Sequence, residues 1–160
     1  MDKTYLNDIW NLYFHDNSSN WENDSFILIT TISNVEDFCA IFKLLDEDNY
    51  WYKGMFFIFR EGVSPRWEDS NNIKGGCYSY KISTEEIQQK WFDLCCKSLG
   101  DTIGVNEEYC LNVNGFSITP KKNANILRIW LKDNNLVDPE YYNISISKFS
   151  TLLYKKHLND

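Results

Sequence analysis

Hydrophobic and polar residues follow strand and helix periodicities in turn along the chain. Runs rich in β-branched and aromatic residues, or alternating between apolar and polar residues, predict strands. These runs cover residues 6–15, 26–32, 55–59, 77–83, 109–119 and 126–130. Apolar residues at helical spacing predict a helix capped by Asn34, a second that starts at Thr84 and stops at Gly100, and a last one from about Ser147 to His157. Helices that interrupt a series of strands predict an α+β fold, with about three helices on the convex face of a single curved antiparallel β-sheet and the ligand site on its concave face.

The length of 160 residues fits one domain that can bury a core. Since no repeat, linker or low-complexity tract divides the chain, residues 1–160 are expected to form a single domain. The N-terminal segment contains acidic residues and no apolar core, and no apolar run approaches the roughly 20 residues that span a bilayer. We therefore expect no signal peptide, no membrane contact and a cytoplasmic location.

The net charge of −7 and the pI near 4.8 limit the partners that the chain can bind. Binding long nucleic acid through its backbone takes a broad basic surface, which this charge disfavours. Gripping one nucleotide through its base needs only a few local cations. The charge therefore narrows the expected target to something small.

The cysteines and histidines do not form a metal-binding pattern. The five cysteines are odd in number, none forms a CxxC pair, and only two histidines are present. We expect reduced thiols, no metal ion and no cofactor.

Aromatic residues make up 16% of the chain, and three of the tryptophans, Trp21, Trp51 and Trp67, fall in predicted loops. Trp21 follows a run of turn-forming residues, and Trp67 follows Pro65 and precedes Glu68. An indole face attracts a flat cation, and a neighbouring carboxylate can accept two parallel hydrogen bonds from an amidine-like edge. Guanine methylated at N7 offers both a delocalised positive charge and paired N1–H and N2–H donors. Spacing alone leaves open that Trp67 is an ordinary loop tryptophan.

Blocks of sequence spread along the chain recur in one known family. They are residues 10–14, Trp21, residues 35–38, residues 62–69, Gly75-Gly76 and Ile129-Trp130. In this order, and nearly at this spacing, they resemble the eukaryotic translation initiation factor 4E family. The likeness runs from about Leu6 to Leu158 and implies a protein that binds the 7-methylguanosine cap of messenger RNA.

The resemblance assigns a role to each residue around the base. Trp21 and Trp67 match the two tryptophans that stack on the methylated guanine. Glu68 matches the carboxylate that accepts from N1–H and N2–H, while the backbone N–H of Trp67 would meet O6. Trp130 matches the tryptophan that touches the N7 methyl.

The residues expected to hold the cap phosphates depart from the family pattern. Cys77 stands where the family commonly has an arginine, and Ile126 stands at the position of a family lysine. Lys121 matches a second arginine, and Lys122 and Arg128 lie nearby. Lys121, Lys122 and Arg128 are therefore the predicted phosphate ligands.

The resemblance also implies a partner-binding surface, on which family members hold a helix of a scaffold protein or of a repressor. Its residues here are Leu6, Val35, Cys39, Trp91, Phe92 and Cys96. Cys39 replaces a tryptophan, and an exposed aromatic is a common interface anchor. Either a different, co-adapted scaffold binds here, or none does. On its own spacing Trp91 is typical of a core residue.

The C-terminal part also departs from the family. Family members continue past the last helix into another strand, whereas this sequence stops at Asp160, so we expect an edge strand to be missing or replaced. The abundance of Asn, Ile and Lys is typical of an AT-rich genome, such as that of a large DNA virus or a reduced parasite.

These features predict a monomer that binds the 7-methylguanosine triphosphate cap and recruits capped messenger RNA for translation initiation. An alternative is a cap-binding repressor that sequesters messages without the usual scaffold. An enzyme acting on caps is disfavoured, because the chain has no GxSxG, GxGxxG or paired-histidine motif. A protein–protein module that has lost ligand binding is disfavoured by the presence of all four base-contacting residues.

Overall fold

One antiparallel sheet organises the computed structural model, which describes residues 2–158. Its seven strands lie in the order β2-β1-β3-β5-β6-β4-β7. The strands are β1 (Tyr5–His15), β2 (Ile27–Asn34), β3 (Met55–Arg60), β4 (Gly76–Ile82), β5 (Val113–Pro120), β6 (Asn125–Leu131) and β7 (Leu153–Lys156). The α-helices are α1 (Val35–Glu47), α2 (Phe92–Leu99), which a π-helical turn (Ile87–Trp91) precedes, and α3 (Glu107–Leu111). This is the α+β architecture that the sequence pattern predicts.

The two faces of the sheet carry different residues because side chains alternate along each strand. On β3, Phe56 and Ile58 belong to the main core beneath the helices. Met55, Phe57 and Phe59 point the other way and form a smaller cluster with Cys77 and Trp130. We call these the helical face and the open face. The helical face is the convex one, as predicted.

Helix α1 begins where the capping signal predicts it. The side chain of Asn34 accepts a hydrogen bond from the Asp37 N–H at 2.9 Å, which satisfies one of the free donors of the first turn. Glu36 and Asp37 place negative charge at the positive end of the helix dipole. Phe38, Phe42 and Leu45 are buried against the sheet, which fixes the helix on the helical face.

The prediction of a strand from Tyr109 is wrong in its first residues. The side chain of Asn106 accepts from the Tyr109 N–H at 3.1 Å and caps helix α3, so the strand begins only at Val113. Glu107 and Glu108 stabilise the first turn of that helix.

The prediction of a helix from Ser147 to His157 is also wrong. Leu153–Lys156 forms strand β7, which pairs antiparallel with β4, and Ser147 to Leu152 is irregular. Tyr154 packs on Tyr78 across the strands, with ring centroids 5.0 Å apart, and this pairing outweighs the helical pattern. The edge of the sheet beside β4 is therefore filled by β7.

Within residues 2–158, the helices are all too short or too polar to cross a lipid bilayer.

Candidate functional site

A pocket of about 620 Å³ opens on the open face of the sheet, where two loops meet strands β4, β6 and β7. We call residues 16–26 the Trp21 loop and residues 61–75 the Trp67 loop. The residues lining the pocket include Asn17, Trp21, Phe57, Pro65, Arg66, Trp67, Glu68, Cys77, Ser79, Thr119, Lys121, Arg128, Trp130, Lys155, Lys156 and His157.

Trp21 and Trp67 differ from the other tryptophans in their exposure. Their exposed fractions are 44% and 43%, whereas the other four tryptophans are buried. Both exposed indoles line the same pocket. Large aromatic side chains contribute most when they are buried, so two of them left half-exposed at one cavity indicate a surface that a ligand covers.

The Trp21 ring is oriented by a buried histidine. The Trp21 and His15 rings are parallel within 4°, with centroids 4.1 Å apart. The carbonyl of Asn20 can only accept and the N–H of Asn17 can only donate, so His15 carries its proton on Nε2. Those bonds, 2.7 Å to Asn20 and 2.9 Å from Asn17, also hold the loop backbone. His15 therefore supports both the Trp21 ring and the Trp21 loop.

The Trp67 loop is held through its backbone instead. The buried amide of Asn72 donates to the carbonyls of Ser64 at 2.9 Å and Arg66 at 2.8 Å. Its own oxygen accepts from the Asn114 side chain at 3.0 Å, which anchors the loop to β5. Asp69 accepts from the Ser64 N–H at 3.0 Å and closes the loop from the other side. These bonds fix the backbone on each side of Trp67.

A charged side chain bridges the two loops at the mouth of the pocket. Arg66 Nη2 lies 3.8 Å from a Glu22 carboxylate oxygen and 3.7 Å from a Glu68 oxygen. Both distances exceed those of a hydrogen bond. The partly exposed Glu68 carboxylate therefore keeps its acceptor capacity for a ligand beside Trp67.

Trp130 forms part of the floor of the pocket. Its Nε1–H donates to Ser117 Oγ at 3.4 Å, and its ring packs edge-on against Phe59 with centroids 5.2 Å apart. The His157 ring lies 5.0 Å from it. Burial lowers the pKa of His157, and the nearby Glu68 carboxylate partly opposes this shift.

Cations gather on the side of the pocket formed by the strands, although the chain as a whole is acidic. Lys121 and Arg128, two of the predicted phosphate ligands, line it, and Arg128 Nη1 donates to Thr119 Oγ1 at 3.3 Å. Lys122 is exposed in the turn between β5 and β6 and is not among the lining residues. Lys155 and Lys156 line the pocket from β7.

The sequence prediction missed the β7 cations because it placed them at the end of a helix. Strand β7 puts Lys155 directly opposite Cys77, the position at which the resemblance led us to expect an arginine. Burial raises the pKa of the Cys77 thiol far above its ordinary value, so this residue supplies no charge. The β7 lysines therefore restore positive charge beside a position that has lost it.

Most of the predicted partner-binding residues lie on the outer surface of α1 and α2. Val35, Cys39, Phe92 and Cys96 are exposed, and Leu6 is partly buried. Phe92 packs across the helices on Phe42, with ring centroids 4.8 Å apart.

Trp91 is a correction to the predicted surface. Its exposed fraction is 0%, and its ring packs against Trp51 and Phe116 in the main core. This burial confirms the interpretation of Trp91 as a core residue, which lies at the end of the π-helical turn before α2.

Among residues 2–158, no group of three or more His, Cys, Asp or Glu side chains could hold a metal ion.

Comparison with known proteins identifies relatives over most of the chain. The chain is 31% identical over 134 residues to eukaryotic translation initiation factor 4E of Candida glabrata, covering 79% of this chain and 62% of that protein. It is 28% identical to the same factor of Saccharomyces cerevisiae, covering 81% of this chain and 62% of that protein. The chain thus spans somewhat less than two thirds of the length of these relatives.

Solved structures share the fold. The Caenorhabditis elegans eIF4E-3 in complex with the 4E-binding protein Mextli and cap analog matches with a TM-score of 0.73 at 22% identity, covering 86% of this chain and 79% of that one. The schistosome eIF4E complexed with m7GpppA and 4E-BP matches with a TM-score of 0.76 at 20% identity, covering 85% of this chain and 75% of that one.

A family model completes the comparison. The model described as eukaryotic initiation factor 4E matches residues 5–157, which include every element of the sheet and the whole pocket. The chain therefore belongs to the eukaryotic initiation factor 4E family.

Proposed function

We propose that this protein binds the 7-methylguanosine 5′ cap of messenger RNA in the pocket on the open face, as a single cap-binding domain, and recruits capped messages for translation initiation. The observation that carries the proposal is the pair of half-exposed tryptophans at one pocket, with a carboxylate beside one of them. Trp21 and Trp67 stack on the two faces of the methylated guanine. Glu68 accepts from its N1–H and N2–H.

The charge distribution supports this assignment. A cationic base attracts indole faces and a carboxylate, whereas a triphosphate requires cations. The pocket has Trp21, Trp67 and Glu68 on its loop side, and Lys121, Arg128 and the β7 lysines on its strand side. In this proposal Trp130 contacts the N7 methyl from the floor, and Lys122 approaches the phosphates from the neighbouring turn.

The protein acts by binding rather than by catalysis. Members of its family are cap-binding proteins and not enzymes. Incubation with capped RNA should therefore yield no new nucleotide product, and the appearance of one would overturn this part of the proposal.

A titration followed by tryptophan fluorescence tests cap binding. We expect 7-methylguanosine triphosphate to quench the emission strongly, because the ligand stacks on both exposed indoles, and GTP to quench it far less. Equal quenching by the two nucleotides would refute the stacking proposal. Glu68→Gln keeps the size of the side chain but replaces a carboxylate acceptor with an amide. The substitution should weaken binding of the methylated ligand by about 1.5–3 kcal/mol, the scale of a hydrogen bond to a charged group.

The surface of α1 and α2 supports two alternatives for the partner. C. elegans eIF4E-3 and schistosome eIF4E form complexes with 4E-binding proteins, so a helical scaffold protein with an altered motif is the first proposal. The second is a cap-binding repressor without that scaffold, which Cys39 favours because it offers a small anchor where the family has a tryptophan. Pull-down of a scaffold protein by the wild type and not by Phe92→Ala would support the first and refute the second. We further propose that the protein works in the cytoplasm as a monomer.

A further inference from the structure

One guanidinium lies between two carboxylates at the mouth of the pocket on the open face. Arg66 Nη2 is 3.8 Å from a Glu22 oxygen and 3.7 Å from a Glu68 oxygen, so the same nitrogen faces both side chains at nearly equal distances. Glu68 is the proposed acceptor for the base edge, whereas Glu22 belongs to the opposite loop. We call Glu22, Arg66 and Glu68 the mouth cluster. Two carboxylates and one guanidinium give the mouth cluster a formal charge of −1.

Contacts of the two loops keep these charges together. The Arg66 side chain is only 20% exposed, and its backbone carbonyl accepts from the Asn72 amide at 2.8 Å. Next to Glu22, Asn23 Oδ1 accepts from Ser64 Oγ at 3.3 Å, and this bond joins the two loops directly. The Arg66 guanidinium is therefore kept near both carboxylates.

The shared guanidinium affects the charge beside the base more than it affects folding. Ion pairs with an exposed partner add little stability, and the Glu22 side chain is 79% exposed. If Arg66 paired with Glu68 alone, its positive charge would offset the charge of that carboxylate. Because Glu22 shares the guanidinium, part of the negative charge of Glu68 stays unbalanced.

We propose that Glu22 is a specificity-determining residue for the methylated base. Guanine methylated at N7 carries a positive charge that unmethylated guanine lacks. The methylated base brings the charge at the mouth cluster from −1 to zero, whereas the unmethylated base leaves it at −1. Glu22 thus favours the methylated base through the charge that it leaves on Glu68. The proposal rests on the proposed cap binding and adds to it a residue of the Trp21 loop.

The ratio of the affinities for 7-methylguanosine triphosphate and for GTP measures this effect. Glu22→Gln removes the charge and keeps the size of the side chain. It should lower the ratio about two- to five-fold, the scale of one charge acting near a protein surface, mainly by weakening binding of the methylated ligand. Calorimetry at pH 7.5 is suitable, because the pKa of the neighbouring His157 lies below its ordinary value of 6.5 and its ring is then uncharged.

Asp24→Asn is the matched control for the net charge of the protein. Asp24 is exposed and lies two positions along the same loop, outside the mouth cluster. Its substitution removes the same charge as Glu22→Gln and should leave the affinity ratio nearly unchanged. An equal change of the ratio in both variants would show that the general charge of the protein, and not the mouth cluster, sets the preference.

Arg66→Met separates the effect of charge from that of loop support. The substitution leaves two uncompensated carboxylates, so it should raise the affinity ratio. The double variant Glu22→Gln/Arg66→Met restores the formal charge of the mouth cluster and should return the ratio to about the wild-type value. An ion pair that only held the loops together would instead weaken both ligands alike in all three variants.

Three results would overturn the inference while leaving cap binding intact. They are equal weakening of both ligands by Glu22→Gln, an equal change of the ratio by Asp24→Asn, and a double variant whose ratio stays at that of Glu22→Gln. A wild type that binds neither ligand, or binds both equally, would overturn the proposed function as well.

Discussion

The two loops of the pocket present similar tryptophans on different supports. The Trp21 and Trp67 side chains are almost equally exposed, but the Trp21 ring is stacked on the buried His15. No aromatic ring among residues 2–158 stacks on Trp67, whose loop is held through its backbone. The Trp21 indole is thus oriented before a ligand binds. The Trp67 residue has a fixed backbone position, but its ring is freer to rotate. Orientation before binding lowers the entropic cost of association, so the two rings should contribute unequally.

Substitution of the two tryptophans should give the largest effect that tests the difference between Trp21 and Trp67. Trp21→Ala and Trp67→Ala should each weaken binding of 7-methylguanosine triphosphate by about 1–3 kcal/mol, with the Trp21 variant at the upper end because its ring is already oriented. Fluorescence is altered by the substitutions themselves, so calorimetry is the measurement. A larger loss from Trp67→Ala would contradict the proposed difference.

Asn72→Ala tests the backbone support of the Trp67 loop. The substitution removes the amide donor from the partly buried carbonyls of Ser64 and Arg66, of which only Arg66 keeps a second donor, the Asp69 N–H, and this loss should lower the free energy of unfolding by about 1–3 kcal/mol. Denaturant unfolding measures this loss, and amide hydrogen exchange should rise within residues 62–75 but not in the Trp21 loop. Asn123→Ala, in the exposed turn between β5 and β6, is the matched control. Unchanged exchange in the Trp67 loop would show that other contacts hold it.

His15 allows the ring support and the loop support to be separated. His15→Phe keeps a flat ring beneath Trp21 but loses the bonds to Asn17 and Asn20, whereas His15→Ala loses both. Cap affinity should fall in the order wild type, His15→Phe, His15→Ala, and the step between the two variants should be about 0.5–1.5 kcal/mol, the scale of one aromatic pair. Equal affinities of the two variants would show that the ring stack does not orient Trp21.

His157 gives the smallest expected effect, through pH. Its folded-state pKa lies below the ordinary value of 6.5, so the unfolded chain binds the proton more readily. The contribution of His157 to the free energy of unfolding is therefore fully present above pH 6.5. It is lost as the pH falls through the folded-state pKa. The decline is modest because the half-exposed ring is screened by solvent. Between pH 7.5 and pH 5.5 the melting temperature of the wild type should fall slightly more than that of His157→Gln. A larger fall for His157→Gln would exclude His157 as the cause of the loss of stability.

Local signals in the sequence predict much of the fold. Asn34 with its acidic neighbours specifies the start of α1, and the alternation of Cys77 to Ile82 specifies β4. Strand β7 could not be predicted in this way, because its four residues are stabilised by pairing with a strand distant in sequence. Lysines near the end of β7 are also typical of the C-terminal turn of a helix, so the sequence favoured a helix there.

The residues of the candidate site also fall into those that local sequence predicts and those that depend on distant contacts. Trp21, Trp67 and Glu68 stand beside turn-forming residues, so their loop positions are predictable from neighbours in the sequence. The contribution of Lys155 depends on β7, and the roles of His15 and Asn72 depend on contacts that no spacing indicates. The loop residues of the proposed ligand surface were predictable, whereas Lys155 and the residues that hold the loops in place were not.

The most direct measurement is the proton NMR shift of the N7-methyl group of 7-methylguanosine triphosphate on binding. A methylated base enclosed between two indoles lies in the ring current of both, so the signal should move upfield, and Trp21→Ala and Trp67→Ala should each remove part of that movement. A ligand that binds without an upfield shift, or with a shift that neither substitution changes, would contradict the proposed sandwich of Trp21 and Trp67.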